Sequence, residues 1–410
     1  MILIDTFRPD HLGVNGYPRE TAPFLEGLMR SSAVFGRAFS TSSWTAPATS
    51  SLFTGMYPMR HGVTEGFLAH RRRSANLEDL VGEKIALNRL PDEVATISEL
   101  LKASGYSTFG GATNINIGTE IGFDRGFDFF TKMTETSAEE LVDEISPWRQ
   151  QMLSGEPYFL YLHFNDVHKP YEPRAPWFEE GSDPRATDIA AYNSEISYLD
   201  KVLGELYRDY GWDQNTLLVV VSDHGEEFGE HGQYGHLFSL YDELVRSLLV
   251  INGPGLGIPA KRIETPVSLI DVLPTVLDLV GLESPEGRDG QSLSYLLTGE
   301  PKVNGVLERR TLFAHRLQRR PAEGKENHLW MAMRFPWKLV IPPRGNPKLF
   351  NLETDPGELD DVADQHPDIA AGLTTELMKL QAQARSSGER VDVELDEATL
   401  ETLRSLGYVE

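Results

Sequence analysis

Over the first three quarters of the chain, short apolar runs alternate with longer stretches in which apolar residues recur every three or four positions. That alternation predicts a mostly parallel sheet covered by helices. The clearest strands are residues 1–4, 157–164 and 216–222. The last of these is apolar on both faces, as a central parallel strand is. Periodicity predicts helices over residues 21–31, 93–104, 187–210 and 269–280. Thr187 is the expected N-cap of the third, and Gly281 is placed to end the fourth.

From about residue 310 the texture changes. Residues 311–315, 329–334, 337–341 and 348–352 are short, alternating and separated by Pro/Gly turns. They predict a small antiparallel sheet, with Trp330 and Trp337 as packing residues, followed by a helix over 367–385. Residues 386–394 read as a polar linker, and 396–406 as a final short helix ended by Gly407. The expected division is therefore 1–309, then 310–385, then 386–410. No internal repeat or low-complexity tract interrupts it.

Composition narrows the function classes. The 410 residues carry 38 Lys+Arg against 62 Asp+Glu, a formal net charge of −24. A hydrophobic content of 40% and a charged content of 24% are those of a globular chain, not a disordered or fibrous one. Such acidity argues against a nucleic-acid partner or docking on anionic membrane, since both need a basic face. The run His70-Arg71-Arg72-Arg73 is the one basic exception, read as a solvated loop. Cysteine is absent, which removes disulfides, thiolate metal sites and Cys nucleophiles together. No apolar run approaches the roughly 18 residues that span a bilayer. The start has no basic n-region or long apolar h-region, so it is no signal peptide. A strand of four residues there looks clipped, and localisation stays open.

Candidate chemistry sits where polar residues follow apolar strands, because ligands of open α/β sheets collect at the carboxyl ends of strands. Asp5 follows the first strand, and Asp223-His224 follow the strand over 216–222. His163 and His168 lie at and just beyond the end of 157–164. A Ser/Thr-rich turn from Thr41 to Ser51 runs into Leu52-Phe53, as a loop feeding a helix N-terminus would. Asp5, Asp223, Thr45 and His224 make a mixed O/N set suited to Mn²⁺ or Zn²⁺ and less to Ca²⁺. A metal on a Thr hydroxyl lowers its pKa and turns a weak nucleophile into a useful one. Thr45 also suits an N-cap, a role compatible with nucleophilic attack. A helix N-terminus behind it would favour an anionic substrate group. Arg8 and Asp10 are expected to hold the first loop together, and His231 to be solvated.

These residues resemble a family. Asp5-Thr6-Phe7-Arg8-Pro9-Asp10-His11-Leu12-Gly13 with Gly16-Tyr17 resembles the first motif of the sulfatase group of the alkaline phosphatase superfamily. Thr45-Ala46-Pro47-Ala48-Thr49 through Tyr57-Pro58, with Arg60-His61-Gly62-Val63, resembles its nucleophile motif. Ser222-Asp223-His224-Gly225-Glu226 and the stretch from Gly235-His236 to Asp242-Glu243 resemble its later metal and substrate motifs. Lys348-Leu349-Phe350-Asn351-Leu352-Glu353-Thr354-Asp355-Pro356-Gly357-Glu358 resembles its C-terminal signature. The resemblance spans the chain in the expected order. It implies an alkaline-phosphatase-like α/β sandwich with a small C-terminal α+β subdomain, and a metal-dependent enzyme acting on an anionic ester.

The departures matter more. Sulfatases of this group convert a Cys or Ser to formylglycine within C/S-x-P-x-R, whereas Thr45 and Thr49 stand at the first and last positions here. Oxidising Thr would give a ketone, not an aldehyde. Thr6 replaces the second Asp of the usual pair, and Gly110-Gly111-Ala112-Thr113-Asn114 occupies the region of a sulfate-binding Gly-Lys-Trp-His. A Thr nucleophile with one N-terminal acid and an Asp-His pair instead resembles lipoteichoic acid synthases and lipid A phosphoethanolamine transferases. The latter carry a His pair five residues apart and a His twelve after the metal His, as His163/His168 and His224/His236 are here. The resemblance thus implies hydrolysis or transfer at a phosphate or phosphonate ester. Thr45 is the implied nucleophile, and Asp5, Thr45, Asp223 and His224 the implied metal ligands. His163, His168 and His236 would steady oxygens or protonate the leaving group. The alternatives are an unconventional sulfatase acting on a sulfated glycan and a silent anion-binding member.

Overall fold

Eight strands form the central sheet, in the order Lys261–Ile263, Ala33–Phe35, Leu249–Asn252, Leu218–Ser222, Ile2–Ile4, Tyr158–Phe164, Ser107–Ala112 and Phe129–Lys132. Neighbours run parallel except on either side of Leu249–Asn252. The structure, a computed structural model, describes residues 1–66, 87–134, 136–299, 306–320, 325–384 and 391–393. The basic run at residues 70–73 and the helix expected over 396–406 lie outside the described residues.

Both faces of the sheet are covered, which is why its strands read as near-continuous apolar runs. Successive side chains point to opposite faces, and the two buried clusters divide accordingly. Leu3, Phe159, Tyr161, Val219 and Val221 join one cluster with Leu52, Phe53, Ile97, Leu101 and Leu277. The helices behind it are Thr45–Thr54, Ile97–Ala103 and Val272–Leu279. Ile2, Ile4, Leu160, Leu162, Leu218 and Val220 join the other with Leu25, Leu28, Leu141, Ile145, Tyr192 and Leu199. Those contacts come from the helices Pro23–Met29, Ala138–Ile145 and Pro184–Asp209. This is the expected mixed α/β sandwich.

The long helix starts before Thr187. Asp183 is its N-cap, accepting from the amide of Ala186 at 2.9 Å, and Pro184 takes the first helical position, where an N–H is not needed. Gly281 does follow the helix Val272–Leu279 in the left-handed conformation, with φ of 77°.

The C-terminal antiparallel sheet is present as Leu312–Arg320, Lys325–Arg334, Trp337–Ile341 and Lys348–Asn351. Its first hairpin is longer than the alternation suggested. Pairing runs unbroken from Leu312 opposite Met333 to Arg320 opposite Lys325. The helix Pro367–Ala384 packs on this sheet through Leu373 and Leu377 against Ala332, Leu339 and Leu349, with Trp330 and Trp337 beside them. Inside the stretch read as a linker, Val391–Val393 pairs antiparallel with Leu87–Arg89.

Candidate active site

The carboxyl ends of the two central strands bring the first ligands together. Asp5 follows Ile2–Ile4 and is pinned by its own amide, which donates to the carbonyl of Phe164 at 2.9 Å. Thr6 then turns the chain at φ 53°, a left-handed conformation unusual for a residue with a Cβ. Two bonds hold it there: its amide donates to Asp223 Oδ1 at 3.3 Å and its hydroxyl to the carbonyl of Val167 at 2.9 Å. Asp223 and His224 follow the adjacent strand Leu218–Ser222.

Thr45 stands at the first position of the helix Thr45–Thr54, so the cap residue is Trp44. The Thr45 hydroxyl is therefore not spent on capping. It points at Asp5 Oδ2, 3.3 Å away, and lies 3.4 Å from His224 Nε2.

Three ligand atoms in this cluster are left open. Asp5 Oδ2 is crowded with donors, while its Oδ1 has no hydrogen-bond partner. Asp223 Oδ1 receives the amides of Thr6 and His224, while its Oδ2 has none. His224 Nδ1 lies 2.9 Å from the carbonyl of Gly225, which places the ring proton there and leaves Nε2 with a lone pair. That nitrogen sits 3.5 Å from both open carboxylate oxygens. Ligand atoms of Asp5, Asp223 and His224 all lie within 4.8 Å of one another, and all three residues are buried. Buried polar atoms are ordinarily paired. Two orphaned carboxylate oxygens converging with a bare imidazole nitrogen are the donor set of a divalent cation, so the residues present fit a metal.

Electrostatics agree with that fit. Burial and the neighbouring Asp5 charge push the Asp223 carboxyl well above its ordinary value. Burial would raise Asp5 too, but the hydrogen bond from His163 holds it below the carboxylate range. Burial, reinforced by His236, pushes His224 down to about 3, which keeps it a neutral ligand.

The expected histidines separate into two groups. His236 lies against His224, with ring centres 4.7 Å apart, and His168 lies 5.0 Å beyond it. His236 Nδ1 is 3.0 Å from Glu226 Oε1, and burial of Glu226 is outweighed by His236, which holds that carboxyl down to about 2. His168 Nδ1 pairs with the carbonyl of Lys169 at 2.7 Å, and burial lowers its pKa. His163 stands behind the cluster: one ring nitrogen faces Asp5 Oδ2 at 3.0 Å and the other the Tyr161 hydroxyl at 2.9 Å. Neither nitrogen is available to a substrate.

Arg8 and Asp10 are paired at 2.7 Å as expected, and Arg8 also reaches Glu230 and the carbonyl of Glu226. His231 is not solvated. Its ring stacks on Tyr241 at 3.7 Å and its Nε2 lies 3.4 Å from Glu243. Asn114, Tyr161, Tyr171 and Glu226 were not singled out, yet Asn114 Nδ2 donates to Asp5 Oδ2 at 2.6 Å and Tyr171 to Glu226 at 2.8 Å. Asn114 could have been found as a polar residue beyond a strand, had Ser107–Ala112 not been disguised by Gly110-Gly111. A Cβ on Gly110 would come within 2.6 Å of Phe130, and on Gly111 within 3.0 Å of Leu141.

Comparison with known proteins agrees with this architecture. The family described as Sulfatase matches residues 1–282, and that described as N-sulphoglucosamine sulphohydrolase, C-terminal, matches residues 229–383. Choline-sulfatase of Rhizobium meliloti is 27% identical over 413 residues, covering 84% of this chain and 78% of that protein. Arylsulfatase K of Xenopus laevis is 32% identical over 231 residues, covering 53% of this chain and 41% of its own. The crystal structure of the phosphonate monoester hydrolase of Agrobacterium radiobacter superposes with a TM-score of 0.76 at 20% identity. That match covers 97% of this chain and 98% of the other, and it shows a shared fold.

Proposed function

The chain belongs to the sulfatase family, a family of metal-dependent ester hydrolases, and we propose that it hydrolyses a phosphate or phosphonate ester with the Thr45 oxygen as nucleophile. The observation that carries this reading is the Thr45 hydroxyl, free of capping and aimed at Asp5 beside three convergent open ligand atoms. Asp5, Asp223, His224 and the Thr45 oxygen would hold a divalent ion, Mn²⁺ or Zn²⁺ by their donor types. Such an ion supplies positive charge where negative charge develops and lowers the pKa of the hydroxyl.

The chain's own groups account for the proton movements. Thr45 Oγ1 bonds to phosphorus as the bond to the leaving oxygen breaks, and the hydroxyl proton passes to Asp5 Oδ2, at which it is directed. His236, oriented by the ionised Glu226, protonates the leaving oxygen. His168, with Nδ1 committed to the Lys169 carbonyl, presents an Nε2 lone pair. It takes a proton from the water whose oxygen bonds to phosphorus as the bond to Thr45 Oγ1 breaks, and Asp5 Oδ2 returns its proton to Oγ1. The helix N-terminus behind Thr45 favours the anionic group throughout.

The family match and the choline-sulfatase relative favour a second reading, cleavage of a sulfate ester. Against it, Thr45 cannot become formylglycine, whose hydrate, once it has taken the sulfate group, expels it by collapse of the hemiacetal without water attacking sulfur, and Thr49 replaces the usual Arg. A phospho-threonine can turn over by in-line displacement. Metal-replete protein assayed on aryl phosphodiester, phosphonate and sulfate esters decides. Turnover of a phosphorus ester should exceed that of the sulfate at least ~10²-fold, about 2.7 kcal/mol of barrier, and vanish in Thr45→Ala. Equal or faster sulfate turnover, lost in the same variant, establishes the second reading.

A further inference from the structure

The two oxygens of Asp5 have opposite surroundings. Oδ2 faces Asn114 Nδ2 at 2.6 Å, His163 Nε2 at 3.0 Å and the Thr45 hydroxyl at 3.3 Å, while Oδ1 has no partner. A carboxylate free to rotate would exchange the two. Donors concentrated on one oxygen forbid that rotation and keep the other open towards His224, 3.5 Å away.

His163 is a donor that is itself buttressed. Tyr161 and His163 are two residues apart on the strand Tyr158–Phe164 and so project to the same face. The Tyr161 hydroxyl reaches His163 Nδ1 at 2.9 Å, and both side chains are fully buried. Burial raises the phenol well above its ordinary pKa, so the hydroxyl keeps its proton and donates it to Nδ1. The ring proton of His163 must then sit on Nε2, facing Asp5.

We infer that Tyr161 and His163 form a strut that fixes which Asp5 oxygen is presented to a metal, making His163 a positioning residue and not a proton donor to substrate. This rests on the reading of Asp5 as a metal ligand under the proposed function. Groups that hydrogen-bond a ligating carboxylate from behind typically change metal affinity by ~10–100-fold when removed.

The experiment titrates chelator-stripped protein with Mn²⁺ by calorimetry and records each variant's melting temperature in chelator. His163→Leu should weaken binding by ~10–100-fold. His163→Gln, whose amide nitrogen can occupy the place of Nε2, should recover most of that loss. Tyr161→Phe, which frees the tautomer, should weaken binding in the same direction. Wild-type affinity in both His163→Leu and Tyr161→Phe, with binding abolished in Asp5→Ala, overturns the strut. Should His163→Leu fail to fold, unchanged affinity in Tyr161→Phe alone overturns it. Mn²⁺ binding that is absent from the wild type, or unaffected by Asp5→Ala, instead refutes the metal reading of Asp5.

Discussion

Asp5 and Asp223 place two buried carboxylates around one imidazole nitrogen, an arrangement that repels itself until a cation shares it. Without an ion, Asp223 is the residue under strain, since burial and Asp5 both disfavour its charge. Asp223→Asn should therefore melt no lower than wild type in chelator. A divalent ion at 100 times its dissociation constant should stabilise wild type by ~2.7 kcal/mol and leave the variant unmoved. Scanning calorimetry with and without ion checks both halves. A large loss of stability of Asp223→Asn in chelator would show that its two amide contacts outweigh the repulsion. Asp5, Thr45, Asp223 and His224 were legible because each ends a strand or starts a helix, positions the sequence pattern marks. Asn114, Tyr161 and Glu226 were not, because they act only through neighbours that folding supplies. His163 is legible as a residue, but its contacts with Asp5 and Tyr161 are not, since a histidine at a strand end gives no sign of which way its ring is bonded.

Elements follow the same division. The central strands and long helices show in the hydrophobic period. Ala33–Phe35 is too short to register, and the glycines of Ser107–Ala112 read as a turn until close packing explains them. The period predicts the start of Pro184–Asp209 three residues late because its N-cap, Asp183, precedes a Pro that interrupts the period. That helix also carries Glu195, buried with Oε2 unpartnered and Oε1 3.7 Å from Arg174. Burial pushes the Glu195 carboxyl up to about 9, against the pull of a backbone amide and Arg174. Its folded value thus lies above the unfolded one, so the folded state holds a proton that the unfolded state has lost. The resulting stability is fully present below the unfolded value and is lost as pH rises towards 9. Glu195→Gln removes this dependence. The variant's melting temperature should approach and then exceed that of wild type between pH 5 and 9, by at least about 1 kcal/mol in stability at the upper end. A difference that stays constant with pH would mean Glu195 is ionised in the fold.

For the whole molecule, the sequence located the C-terminal sheet from its turn-separated alternation, but not how that sheet meets the body. Phe39, Leu240 and Val245 of the body share one buried cluster with Leu312, Met331, Val340 and Phe350 of the sheet. Through this junction runs Lys338, fully buried, with its ammonium 2.9 Å from Asp242 and 3.0 Å from Glu358. Glu358 also accepts from the amide of Asp242 at 2.6 Å, which starts the helix Asp242–Val245 soon after His236. Burial pushes the Glu358 carboxyl up to about 7 despite the ammonium beside it, and Lys338 itself is raised by its two acids against the cost of burial. The lysine is thus what allows two buried acids to sit together. Removing one member of such a cluster typically costs 3–5 kcal/mol because the remaining charges are left uncompensated. Lys338→Met should therefore destabilise the protein by about 3 kcal/mol or more, read by chemical denaturation. It should also lower turnover, since the segment holding His236 loses its anchor. The double variant Lys338→Met with Glu358→Gln should recover part of the stability by removing one stranded charge. A loss below about 1 kcal/mol in the single variant would show that the apolar cluster alone holds the sheet to the body.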